Sequence, residues 1–142
     1  MACGGKRLSK QTYELIAKIR EIDECLERSR HMRDVVWEVH PELSFRYWNR
    51  SKAMQHPKKS GFGFLERYKL VVQSYGDTAA RIRAAIPRKK ATDDDILDAL
   101  AALWTAERIH AGTAIQLPST AEYDERGLPM HACVEPDRAL LA

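Results

Sequence analysis

Only two stretches of this chain, "DVVWEV" from Asp34 to Val39 and "MHACV" from Met130 to Val134, carry the compact, β-favouring apolar pattern of a strand. Four or five others repeat apolar residues at helical spacing. An α/β domain of the usual kind has more strands than that, so either the fold is mainly helical or part of its sheet lies outside this chain. At 142 residues there is room for one core and not for two ordinary domains. Hydrophobic residues at 44% against 30% charged are a globular balance, which gives one domain over 1–142.

From Ser9 to about Ser29, Leu15, Ile16, Ile19, Ile22 and Leu26 line one helical face, with Lys18, Arg20, Glu21 and Glu24 largely off it. Val35, Val36, Trp37 and Val39 then predict a short strand, and Pro41 can start a helix, where its missing N–H is not needed. That helix carries Leu43, Phe45 and Trp48 until "NRSKAMQHPKKSG" breaks it. "FLERYKLVVQSYG" predicts the next helix, stopped by Gly76, and "TAARIRAAIP" a shorter one stopped by Pro87. Thr92 is a good cap for a last helix with Ile96, Leu100, Leu103 and Trp104 on its buried stripe. A turn at Gly127 leads into the strand at Met130 to Val134.

The net charge of +3 is too small to imply a polyanionic partner, so such a partner would have to meet local patches. Cys3, Cys25 and Cys133 are odd in number and far apart, without the close pairs of structural zinc or a redox dithiol. No apolar run reaches the ~20 residues of a membrane helix, and the N-terminus lacks a secretion signal's hydrophobic core. A cytoplasmic protein without a membrane partner is expected. The five histidines show no metal spacing, and Ser44, Ser60 and Ser74 lack a base or nucleophile elbow.

The stretch "ATDDDILDALAALWTAERI" raises the functional question. Asp93, Asp94 and Asp95 fall in a first helical turn, where the dipole favours acids and no further purpose is required. Asp98 lies a turn further in, where that benefit fades and aspartate is a poor helix former. Spaced three apart, Asp95 and Asp98 can aim at one point, and paired hard oxygens suit Mg²⁺ or Mn²⁺ better than zinc. Glu38 closes the "DVVWEV" run, at the end of a strand where open α/β sheets place ligands; an ordinary solvent-facing glutamate is the simpler account. A strand-end acid with an aspartate pair on a later helix matches what a two-metal phosphodiesterase needs, its ions about 3.5–4 Å apart.

The segments "GKRLSKQTYELIAKIREID", "VWEVHPELSF", "KKSGFGFLER", "DDDILDALAALWTAERI" and "DERGLPM", in this order, resemble the second half of a family of predicted nucleases with a ribonuclease-H-like fold. That family is classed as a domain of unknown function, number 429, and is distantly similar to bacterial Holliday-junction resolvases. The resemblance implies an α/β, ribonuclease-H-like fold with Glu38, Asp95 and Asp98 as catalytic and metal-binding acids. It also places Lys59 and Arg67 at a loop lysine and a helix arginine of the family pattern, both expected to bind nucleic acid, with Phe64 where an arginine usually stands. The family's first strand, with its metal-binding aspartate, and the strands after it have no counterpart here. A partial, helix-rich domain is therefore expected, with the apolar faces of Leu15, Ile19, Val35 and Leu100 left uncovered. A homodimer or a separate N-terminal half would complete it.

Lys58 and Lys59, and Arg88, Lys89 and Lys90 just before the acidic cluster, can contact nucleic-acid phosphates or can be solvated loop charges. The expected function is a Mg²⁺- or Mn²⁺-dependent nuclease, incomplete by itself, and the alternative is a non-catalytic nucleic-acid-binding or protein-interaction module.

Overall fold

The computed structural model describes residues 9–134, which divide after Trp37 into two compact units. The first holds α1 (Lys10–Arg28) and α2 (Arg30–Val35). Ser29 separates them as an extended cap whose hydroxyl accepts from the Met32 N–H, while the Arg33 side chain reaches back to the Leu26 carbonyl at 2.7 Å. The apolar stripe of α1 is half uncovered, with Leu15 49% and Ile19 57% exposed, and Val35 on α2 is 52% exposed.

The second unit runs α3 (Pro41–Trp48), α4 (Gly61–Tyr75), α5 (Thr78–Ala85), α6 (Asp93–His110), β1 (Ile115–Tyr123) and β2 (Pro129–Val134). Its core is helix against helix. Phe45 from α3, Val71 from α4, Ala79 from α5, and Ile96, Leu97, Leu100 and Ala101 from α6 form one buried cluster. Leu100 is 3% exposed, which corrects its expected exposure: α3, α4 and α5 all pack on α6, so helices cover the face that a sheet was expected to cover. Trp48 bridges the aromatic part of the core, stacked on Trp104 with centroids 5.2 Å apart and on Phe45 at 5.9 Å. One buried polar link crosses it, the Ser44 and Thr105 hydroxyls at 2.8 Å.

The sheet is a single antiparallel pair, so the described residues are helix-rich with a small strand component. In its register Ile115 faces Val134 and Leu117 faces Ala132, then β1 bulges before Glu122 meets Met130. β2 is the strand expected from Met130 to Val134. β1 was not expected, because Pro118 and the mainly exposed side chains after Leu117 erase the period-two pattern that marks a half-buried strand. The strand expected over Val35 to Val39 does not form: α2 runs through Val35, and residues 36–40 carry no strand. Backbone propensity is satisfied at both ends of the segment, where Val36 and His40 are in the β region. Among the described residues no ladder forms there, and the Glu38 carbonyl accepts a bond from the Cys133 N–H at 3.0 Å.

Local signals set the helix boundaries. Pro41 opens α3, and Ser60 caps α4 through the Gly63 N–H at 3.0 Å. Gly76 ends α4 at φ 58°, a conformation that side chains rarely adopt. Among the described residues no helix is long and apolar enough to cross a membrane.

Candidate functional site

The acidic turn of α6 resolves into separate roles. Thr92 and Asp95 form a reciprocal capping box: the Asp95 N–H donates to the Thr92 hydroxyl at 3.2 Å, and Asp95 Oδ2 accepts from the Thr92 N–H and hydroxyl, each at 2.7 Å. The Thr92 N–H and then its hydroxyl hold the Asp95 carboxyl below the usual aspartate range; slight desolvation opposes them and the nearby Lys58 ammonium assists. Asp93 is shared by Arg83 at 3.2 Å and Arg88 at 2.9 Å. Capping and local pairing thus account for the front of the helix.

The lowered Asp95 makes the cap sensitive to pH. Its contribution to stability is full above the unfolded aspartate value and is lost as pH falls through the lower folded value. Thr92→Ala removes the hydroxyl of the cap and should cost about 1 kcal/mol at neutral pH. The cost should shrink under acid, as Asp95 protonates in both proteins. Urea midpoints measured from neutral pH into acid check this, and a cost independent of pH would show that Asp95 takes no part in it.

Asp98 is different. Its Oδ2 meets Lys58 Nζ at 2.5 Å across 40 residues, and its Oδ1 is buried with no hydrogen-bond partner among the described residues. Such an orphaned buried acceptor is costly in a folded protein and marks a place where a donor or cation belongs. The loop that brings Lys58 there is fixed at several points. Both Glu66 oxygens accept backbone N–H groups, from Gln55 at 3.1 Å and His56 at 2.9 Å. The Ser60 hydroxyl donates to the Pro57 carbonyl at 2.8 Å. Gly63 lets α4 and this loop touch backbone to backbone, since a Cβ there would fall on the Pro57 carbonyl.

Beside Lys58 lies a cleft of about 440 Å³, lined by Glu42, Arg46, His56, Lys58 and Arg67 among others. Arg67 is 3% exposed with all three guanidinium nitrogens hydrogen-bonded: Nε and Nη2 donate to the two Glu42 oxygens, at 2.9 and 2.5 Å, and Nη1 to the Gly63 carbonyl at 2.8 Å. As placed, it organises α3 against α4 rather than offering donors to a phosphate. Glu42 escaped the sequence reading because an acid beside Pro41 in a first turn looks like an ordinary dipole partner. Its match to Arg67 spans 25 residues and leaves no local spacing to find.

The remaining expected site residues are spread out. Glu38 is exposed, and its carbonyl rather than its carboxylate is tied to β2. Lys59, Arg88, Lys89 and Lys90 are exposed. Among the described residues no group of three or more His, Cys, Asp or Glu is placed to hold a metal ion. Of the two acids expected to hold a cation, Asp95 has an oxygen engaged in its cap and Asp98 has a buried oxygen without a partner among the described residues. The side chain of Glu38 does not join them in this conformation. Burial pushes the Cys133 thiol up, away from the reactive thiolate; Cys25 is a free, part-buried cysteine, and Cys3 lies outside the described residues.

A family profile described as "Protein of unknown function (DUF429)" matches residues 1–123. No curated protein and no solved structure matches the chain.

Proposed function

The chain belongs to the DUF429 family, and from that membership we propose that it is part of a divalent-metal-dependent nuclease of ribonuclease-H-like ancestry that hydrolyses phosphodiesters in nucleic acid. One observation carries this reading: the buried, unpartnered Oδ1 of Asp98, whose other oxygen is held by a lysine at 2.5 Å. Asp98 and Asp95 would hold Mg²⁺ or Mn²⁺, with Glu38 and further acids completing the ligand set from a rearranged 36–40 segment, a preceding segment or a second copy. When bound, the ion supplies an activated water and charge stabilisation at the scissile phosphate. The chain's own cations divide the rest. Lys58 balances Asp98 and can turn to a phosphate oxygen, while Lys59 and Arg88 to Lys90 are exposed and can follow a phosphate backbone. Arg67 stays on Glu42 and keeps the cleft in shape.

Purified chain mixed with a second polypeptide that supplies further acidic strands should cleave single-stranded or branched DNA only with Mn²⁺ or Mg²⁺, and the chain alone should cleave weakly or not at all. Asp98→Asn should abolish that cleavage while the circular dichroism spectrum is unchanged. Cleavage that survives the substitution removes the site assignment.

The exposed basic residues favour a second reading, a non-catalytic nucleic-acid-binding module, because they need no metal to attract phosphate. In that case affinity falls steeply with salt and is indifferent to Asp98→Asn.

A further inference from the structure

On another side of α6 from Asp98, a second cavity of about 340 Å³ opens between α4, α5 and the start of α6. Its walls are apolar: Phe64 and Tyr68, one turn apart on α4 and stacked at 5.6 Å, face Ala80 and Leu97. At its edge Arg83 and Arg88 share the single carboxylate of Asp93, which leaves one positive charge in excess, and Lys89 and Lys90 follow in the chain. Arg83 is anchored by the Ala91 and Ile86 carbonyls. Arg88 is 78% exposed, so its pair with Asp93 is weak and it can exchange that partner for another anion.

We propose that this cavity is a nucleotide subsite, taking one nucleobase against Phe64 and Tyr68 and the adjoining phosphate at Arg88. Three observations select that occupant. The volume is at the lower end of the roughly 300–1,000 Å³ of small-molecule sites, enough for one base. The walls offer aromatic surface, which suits any base because every base has a π-face. The mouth is cationic, which suits the phosphate that a base always carries in a strand and which an apolar peptide side chain lacks.

The position is also useful. Asp93 at the cavity and Asp98 are five residues apart on α6, about 7.5 Å along its axis and about 140° around it. A strand crossing the start of α6 passes from the base pocket towards Asp98. The substrate class thus named, single-stranded nucleic acid, rests on the nucleic-acid part of the function proposed above but not on the metal.

Mononucleotide binding in the presence of a chelator tests the subsite apart from the metal reading. AMP or UMP, titrated into the isotope-labelled full chain, should move the amide resonances of Ala79, Ala80 and Leu97. Ribose 5-phosphate should move them far less. Tyr68→Ala should weaken binding roughly five- to 150-fold, the range for loss of one stacking partner. Should Tyr68→Ala unfold, Ala80→Phe serves instead: it fills the cavity from an exposed position on α5 and should abolish the shifts. Mononucleotides that leave these amides unmoved at millimolar concentration, or that bind Ala80→Phe as well as the unaltered chain, overturn the proposal. So does a phenylalanine-containing peptide moving them where nucleotides do not. Shifts that persist while every metal-dependent activity fails would uphold the subsite and remove only the nuclease.

Discussion

Replacing Glu42 with leucine should destabilise the unit that begins at Glu38 by about 3–5 kcal/mol. The loss comes from what is left behind. Arg67 is 3% exposed, and two of its three bonding nitrogens point at Glu42, so the substitution strands a buried guanidinium with one carbonyl acceptor. The reverse change, Arg67→Met, should cost less, because Glu42 is 36% exposed and its freed carboxylate can rehydrate. Replacing both together should recover part of the loss, since no unpaired charge remains. Urea unfolding of the four proteins gives the comparison, and equal costs for the two single changes would refute the asymmetry.

Phe45→Ala should cost a similar amount, about 3–5 kcal/mol, by a different route. Phe45 is fully buried, stacks on Trp48 and carries the Arg67 guanidinium 5.8 Å from its ring centre. Its removal opens a cavity at the meeting point of α3, α4 and α6 and takes away the platform under the Arg67–Glu42 pair. The two sites therefore share a partner. Phe45→Ala combined with Glu42→Leu should cost clearly less than the sum of the single changes, and strict additivity would show that the ring does not support the pair.

Features set by neighbouring residues were legible in the sequence. Thr92 as a cap, Gly76 as a stop, Pro41 as a start and the strand ending at Val134 all depend on side chains within a few positions. Pairing across the chain was not legible. Residues 36–40 have the composition of a strand, and Val36 and His40 adopt its backbone angles, yet a strand is made by its partner, and no ladder to β2 forms among the described residues. β1 lacks the composition and forms because β2 lies opposite. The site divides the same way. Asp95 and Asp98 were picked out by their spacing, but nothing local tells Lys58 from Lys59, and only the loop held by Glu66 decides which ammonium meets Asp98. Arg67 illustrates the converse, since the resemblance located it and the fold turned its donors to Glu42.

Manganese binding, followed by electron paramagnetic resonance, tests most directly the claim that Asp98 carries an oxygen meant for a cation. The unaltered chain should bind Mn²⁺, Lys58→Met should bind it at least as tightly because the competing ammonium is gone, and Asp98→Asn should lose it. Binding that is the same in Asp98→Asn as in the unaltered chain, or absent from both the unaltered chain and Lys58→Met, would contradict the account.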